Sequence, residues 1–380
     1  MIQPAHSGRP PRNSKLSQCI KTLNPAYFAL VMATGIVSIA SQLLDMPNVA
    51  IALFWLNIPT YLILVVLTIV RLLMFPGQFL ADLTDHKRGV GFFTTVAASC
   101  VLGNQFLLIA GLRWPAVALW CLGTVLGFVL TYTIFTSYAV KESKPTLPDG
   151  IHGGWLLSVV AVQSVSVLGT MLAEGFGPYR EEVQFFALAL WLGGGMLYVW
   201  IISLIFYRYS FYPMSPADLA PPYWINMGAM AISTLAGTTL VSAAHGSPIL
   251  SQLMPFLKGF TLFFWATASW WIPMLVILGV WRHLYKRFRL TYDPQYWGAV
   301  FPLGMYTVCT FRLAHAIEVP FLIIIPQCFV YIAMAAWCLT FGGMLYSFAT
   351  ALGRNGHEGR QSPLSSSDTT ALASHPAQEG

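Results

Sequence analysis

Ten stretches of this 380-residue chain contain no Asp, Glu, Lys or Arg, and each is at least 18 residues long. They cover residues 22–44, 46–70, 89–112, 114–140, 150–173, 183–207, 219–257, 259–281, 294–311 and 319–353. About 20 apolar residues suffice to carry a helix across the hydrocarbon core of a bilayer. Only 9% of the chain is charged and 56% is hydrophobic, whereas soluble domains carry about 25% charged residues. Strands of a membrane barrel would be about 10 residues long with alternating polarity, which these stretches do not show. The pattern predicts an all-α membrane protein with ten transmembrane helices in one domain, residues 22–350. A basic cytoplasmic tail, 1–21, precedes it. A polar, Gly/Ser-rich and disordered cytoplasmic tail, 351–380, follows it.

The basic residues set the orientation. Ten spans leave both termini on one side. That side holds Arg9, Arg12, Lys15, Lys21, Arg71, Lys87, Arg88, Lys141, Lys144, Arg208, Arg282, Lys286, Arg287, Arg289, Arg354 and Arg360. The other holds Arg113, Arg180, Lys258 and Arg312. Loops rich in Lys and Arg stay in the cytoplasm, so both termini are expected there, in a plasma or bacterial inner membrane. The net charge of +6 is thus read as topology. It is not a nucleic-acid footprint, since no basic stretch is interleaved with aromatics on a soluble surface. The run "WRHLYKRFR" at 281–289 reads as an orientation signal in contact with lipid headgroups. Residues 1–21 lack the form of a cleavable signal.

The odd-numbered helices begin near Tyr27, Val90, Ile151, Tyr223 and Gln295, at spacings of 63, 61, 72 and 72 residues. This predicts five helical hairpins that share a direction. Parallel units set around an axis normal to the membrane leave a central path. The even helices are large and apolar, as in "LFWLNIPTYLILVVLTIVRLLMF". The odd ones carry polar groups at helical spacing: Thr34, Ser38 and Ser41; Gln163, Ser166 and Thr170; Thr234, Thr238 and Ser242, with Asn226 and Ser233 beside them; and Tyr306 and Thr310. Polar faces avoid lipid, so the collective pattern is read as the lining of an inner path. Close helix packing and hydroxyl bonds back to the same helix are the competing explanation. Pro302 and Gly304 are read as a kink that shapes the path, because proline removes a backbone donor inside a helix.

Few charges enter the spans. Arg312, His315 and Glu318 cluster where the ninth helix meets the outside. Arg312 is expected either to pair with Glu318 at the interface or to draw anions into an outer vestibule. His152 stands at the cytoplasmic mouth of the fifth helix, where a solvated imidazole would titrate near neutrality and tune the mouth. No paired Asp/Glu relay lies mid-membrane, which favours passive anion flow over proton coupling. Five cysteines (Cys100, Cys121, Cys309, Cys328, Cys338) lie within helices without CxxC spacing and read as small apolar residues. No metal or cofactor motif is present. HExxH, GxSxG, Walker and dinucleotide signatures are missing too, so no enzyme is expected.

Several stretches carry a resemblance. "NPAYFALVMATGIVSIA" (24–40), "GGWLLSVVAVQSVSVLG" (153–169), "PPYWINMGAMAISTLAGT" (221–238) and "YWGAVFPLGMYTV" (296–308) resemble the tellurite-resistance/dicarboxylate transporter family. It includes malate permeases, sulfite efflux pumps and slow-type anion channels, and the likeness covers roughly residues 20–350. The resemblance implies five hairpins about a pseudo-five-fold axis, odd helices around a central pore, and commonly a homotrimer with one pore per subunit. It also implies a phenylalanine gate in the ninth helix, which falls here on Phe301, directly before Pro302. The expected function is transport of a small anion such as chloride, nitrate, sulfite or a four-carbon dicarboxylate like malate. Two alternatives stay open: a proton-coupled dicarboxylate or sulfite carrier, and a membrane receptor or scaffold without flux.

Overall fold

A computed structural model describes residues 14–358. The basic residues Arg9 and Arg12, most of the C-terminal tail and its Ser/Thr-rich segment 362–370 lie outside them. Among the described residues all regular structure is helical. Ten long helices follow in order: α1 Ala29–Leu43, α2 Pro47–Met74, α3 Phe93–Leu108, α4 Arg113–Val140, α5 Leu157–Leu172, α6 Arg180–Phe211, α7 Ile225–Ala243, α8 Met254–Val280, α9 Trp297–Ala316 and α10 Ile324–Glu358. Eight continuous segments are long and apolar enough to cross a bilayer, against the ten windows of the sequence. One of them, Gly153–Phe211, contains both α5 and α6, joined through a short turn in which Gly177 has φ 56°. Helix α9 is not among the eight, because its hydroxyls, Pro302, Gly304, Arg312 and His315 lower its hydropathy.

The odd helices start alike. Each is preceded by a tight 3-10 turn: Pro25–Phe28, Gly89–Phe92, Gly153–Leu156, Pro221–Trp224 and Pro294–Tyr296. Proline suits these starts because the first N–H groups of a helix have no intrahelical partner. Asn24, His152 and Asp293 cap three of the turns, accepting the N–H two residues on. The far ends also repeat. Asp45, Gly111, Gly177 and Glu318, all at positive φ between 56° and 65°, reverse the chain between α1 and α2, α3 and α4, α5 and α6, and α9 and α10. Glycine adopts that conformation freely. For Asp45 and Glu318 it costs about 1–2 kcal/mol.

Odd and even helices differ in burial. The spans Pro25–Leu43, Gly89–Leu108 and Pro221–Gly246 are 72%, 83% and 83% buried. Pro47–Met74, Arg113–Val140, Met254–Tyr285 and Pro320–Thr350 are 28%, 22%, 22% and 22% buried, and present large apolar side chains such as Trp55, Leu73, Trp270 and Leu339 outward. The inner helices pack in a closed sequence: α1 on α3, α3 on α5, α5 on α7, α7 on α9, and α9 back on α1. Helices in lipid gain little from apolar burial against each other, so close backbone approach carries the packing. A Cβ at Gly228 of α7 would meet Pro302 Cγ at 2.7 Å, and one at Gly304 of α9 would meet Ile36 Cγ2 at 2.8 Å.

Each outer helix is tied to the inner helix that opens the next hairpin. Tyr61 of α2 shares a hydrogen bond with Ser99 of α3 at 2.8 Å. Trp120 of α4 donates to Val165 O of α5 at 3.1 Å, and Trp191 of α6 to Ser233 O of α7 at 2.8 Å. Trp265 of α8 donates to Thr310 Oγ1 of α9, and Trp337 of α10 to Thr34 Oγ1 of α1, both at 3.0 Å. An indole N–H facing hydrocarbon would be unsatisfied, so these bonds fix the rotation of each outer helix.

Candidate functional site: two cavities and the layer between them

All five inner helices contribute to one cavity of about 280 Å³. Its walls are mostly aliphatic: Ile36, Ile39 and Leu43 from α1, Val101 and Leu108 from α3, Val167 from α5, Ile232 and Leu235 from α7, and Met305 and Val308 from α9. Polar groups are sparse and neutral apart from its far end: Asn104, Ser164, Thr170, Thr238, Thr239 and Ser242, then Glu174 and Arg312. A second cavity, of about 290 Å³, lies where the odd helices start. It is lined by Asn24, Lys87, Arg88, His152, Arg208 and Gln295, among others.

Helical phase relates Phe301 to the first of them. On α9, Met305, Val308 and Arg312 line the first cavity. Phe301 is four residues before Met305, hence on the same face one turn nearer the start of the helix. One turn before Ile36, Val101, Ser164 and Ile232 stand Met32, Ala97, Val160 and Gly228. Met32 and Phe301 are 1% exposed, and Ala97 and Val160 are fully buried. Helical phase thus puts these buried apolar side chains, Phe301 among them, one turn nearer the helix starts than the wall of the first cavity. Helix α9 runs unbroken through Pro302, and the missing proline N–H leaves the carbonyl four residues earlier, at Gly298, without its usual donor.

The residues expected to line a path divide into two groups. Thr170 and Thr238 are part of the cavity wall, and each hydroxyl also bonds back to its own helix, to Ser166 O and Leu235 O. The others turn elsewhere. Ser38 donates to Ala50 O of α2 at 2.7 Å, Gln163 to Trp191 O of α6 at 3.0 Å, and Ser166 to Ala187 O of α6 at 2.7 Å. Asn226 and Tyr306 reach Tyr209 and Ser269 of the outer helices. Thr34 and Thr310 accept the indole N–H groups described above. Ser233 and Thr234 bond back within α7. An inner helix has protein on both sides, so a polar stripe marks its outward seam as readily as its inward face. The partners overlooked in the sequence are Trp120, Trp191, Trp265 and Trp337, whose spacings of 71, 74 and 72 residues repeat the hairpin period.

At the end away from the odd-helix starts, Arg312 stands between the first cavity and a neighbouring one of about 390 Å³, which also holds His245, Lys258, His315 and Glu318. The expected pairing of Arg312 with Glu318 is not formed. Arg312 has no hydrogen-bond or ion-pair partner among the described residues, whereas Arg180 nearby pairs with Glu174 at 2.7 Å. At the opposite mouth His152 is not the solvated imidazole expected there. Its Nδ1 accepts the Gly154 N–H at 3.1 Å, and the ring is half-buried with Nε2 shielded from solvent.

Burial lowers the His152 pKa to about 4; a backbone contact to Lys87 opposes this, and the charges of Arg208 and Lys87 add to it. The group is thus neutral at pH 7 and does not titrate near neutrality. The linkage has a definite sign. Between the ordinary value of 6.5 and about 4, the unfolded chain takes up a proton that the folded chain refuses. The stability is full above pH 6.5 and falls as pH drops through that window. Replacing His152 by Gln is expected to flatten this part of the profile, as read by thermal unfolding between pH 4 and pH 7.5. An equal slope in both proteins would assign it to other groups.

Comparison with known proteins finds a family and relatives that cover this helical region. A family model described as voltage-dependent anion channel, SLAC1, matches residues 22–345. An uncharacterized transporter of Methanocaldococcus jannaschii is 30% identical over 295 residues, 76% of this chain and 82% of the relative. An uncharacterized membrane protein of Mycobacterium tuberculosis is 41% identical over 160 residues, 42% of this chain and 81% of its own length. The sulfite efflux pump SSU1 of Trichophyton rubrum is 21% identical over 355 residues, 87% of this chain and 92% of the pump. The match spans nearly the whole helical region, and this integral membrane protein belongs to the SLAC1 family of anion channels and transporters.

Proposed function

We propose that the chain conducts small anions passively along the axis of its inner helices, with Phe301 as the gate. Ten spans, arranged as five hairpins about a pseudo-five-fold axis, are the architecture this reading uses. The closed packing of α1, α3, α5, α7 and α9 and the five cross-ties support it. The observation that carries the function is a cavity lined by all five inner helices, with a second at their starts; buried apolar side chains one turn before the first cavity's wall support a gate there. A hydrated anion sheds water onto hydrocarbon only at high cost, so one ring closes a narrow apolar path. Thr170, Thr238 and neighbouring hydroxyls offer weak, distributed contacts. These permit both arrival and departure. Arg312 draws anions to the outer mouth.

The mouth with Lys87, Arg88 and Arg208 is the cytoplasmic one in this reading, with both termini on that side and Pro302 and Gly304 setting the width at the gate. Chloride, nitrate, sulfite and small carboxylates such as malate are the candidate substrates, sulfite gaining weight from the similarity to sulfite efflux pumps. Each chain has its own complete path, so a homotrimer would hold three. The layer around Phe301 offers no carboxylate to relay a proton, which favours passive flow over a proton-coupled carrier. The test is flux of nitrate, chloride, sulfite and malate from liposomes containing the purified protein. Movement that follows the electrical gradient of the anion and ignores an imposed pH gradient is expected. Saturable movement driven by the pH gradient would make the protein a coupled carrier, and no flux of any anion would leave a receptor or scaffold.

A further inference from the structure

The mouth cavity at the start of the odd helices holds two donors that lack a full hydrogen bond. His152 Nδ1 accepts from Gly154 N–H, so the neutral ring carries its proton on Nε2. No side chain or carbonyl lies at full hydrogen-bond geometry to that Nε2 among the described residues, the Lys87 backbone making only a looser contact with the ring. Arg208 is 6% exposed. Its Nη1 donates to Ile151 O at 2.9 Å and to the Tyr223 hydroxyl, and its Nη2 faces Asp218 at 3.5 Å. Its Nε is shielded and also without an acceptor. Both residues line the same cavity, together with Lys87. Shielded donors in proteins are nearly always matched, so two unmatched ones at one cavity indicate a missing acceptor.

Capping accounts for one nitrogen of His152 and leaves the other. Asp293 caps the corresponding turn before α9 with a carboxylate oxygen, which brings no donor. The local packing holds the His152 ring in place. A Cβ at Gly154 would meet His152 Cε1 at 2.6 Å, and one at Gly153 would meet Tyr223 Cα at 2.6 Å. The two glycines thus let the ring fold onto its own turn and bring the starts of α5 and α7 together. Helix starts favour negative charge, and here they converge on one space. Of the two carboxylates at this cavity, Asp218 faces Arg208 Nη2 and neither reaches His152 Nε2 or Arg208 Nε. Asp218 accepts from Ser215 N–H and Oγ at 2.9 and 2.7 Å, and Asp149 accepts from Thr146.

We propose that His152 Nε2 and Arg208 Nε, with Lys87, bind a small inorganic oxyanion at this mouth, ahead of the Phe301 layer. The proposal rests on the reading of the axis as an anion route. An oxyanion offers several acceptor oxygens on one centre, which suits separate N–H donors better than a single halide sphere does.

Thermal unfolding of the full chain in nanodiscs, with sodium nitrate replacing sodium chloride at constant ionic strength, tests the site. A saturable nitrate-dependent rise is expected in the wild type and in Phe301→Ala. The nitrate affinity should fall about tenfold in His152→Ala, which would be about 1.4 kcal/mol. His152→Gln, whose amide keeps a donor, should recover part of it. Arg208→Lys keeps the charge, lacks the Nε donor and should weaken binding too. The same nitrate response in His152→Ala and Arg208→Lys as in the wild type, or none in the wild type, would overturn the site. Liposome flux separates the two readings: binding without flux leaves the site and removes the channel, whereas flux without binding does the reverse.

Discussion

Phe301→Ala raises nitrate current through the protein about tenfold or more, since a tenfold gain needs only about 1.4 kcal/mol off the barrier. The ring is 1% exposed and lies on the face of α9 that continues into Met305, Val308 and Arg312 of the first cavity. In the proposed path its removal would join the cavities of about 280 and 290 Å³ past Met32, Ala97, Val160 and Gly228. Water then replaces hydrocarbon at the narrowest level, and the dehydration cost falls. Phe301→Leu is expected to give an intermediate current, because it restores part of the apolar volume. Truncating a buried phenylalanine commonly costs about 3–5 kcal/mol of stability, so current is compared per folded protein, quantified by gel filtration before planar-bilayer recording. A current unchanged from wild type at equal protein would remove Phe301 from the barrier.

Arg312→Glu is the second large effect. The guanidinium is unpaired among the described residues and shared by the first cavity and its neighbour. An unpaired cation at an apolar mouth raises the local concentration of anions. Reversal is expected to lower nitrate conductance about tenfold at low salt, and the loss should shrink as ionic strength rises, because the screening length falls from about 30 Å at 0.01 M to 3 Å at 1 M. Arg312→Gln should lie between. In recordings from Phe301→Ala, where current is large enough to measure, a loss independent of salt would point to a structural role for Arg312 instead.

Much of the architecture is legible in the residues, and the reasons are physical. Charge-free windows report lipid directly, because every ionised group in hydrocarbon is costly. Spacing of the helix starts reports the hairpin period. Direction within the ring is another matter. Thr34, Ser38 and Thr310 fall on regular polar stripes, yet their hydroxyls serve the seams to α10, α2 and α8. Periodicity tells that a face is not for lipid. It does not tell which neighbour that face meets. The recurring tryptophans at 120, 191, 265 and 337 held that information, since a buried indole N–H must find an acceptor. Phe301 is one of 25 phenylalanines, and nothing in its own neighbourhood singles it out; family resemblance points to it, and the two cavities supply the physical reason. His152 shows the reverse case. Its place at a mouth is evident from the sequence, but the half-buried ring, the cap on Gly154 and the idle Nε2 depend on how the starts of α5 and α7 pack together.

The central claim is that anions travel along the axis of the inner helices. Val308 lines the first cavity and is 2% exposed. The decisive measurement is the nitrate current of Phe301→Ala carrying Val308→Cys, before and after a negatively charged methanethiosulfonate reagent. Phe301→Ala alone serves as the control for the native cysteines. Rapid and nearly complete block only in the doubly substituted protein is the expected result. Verified modification with an unaltered current would mean that anions cross by another route.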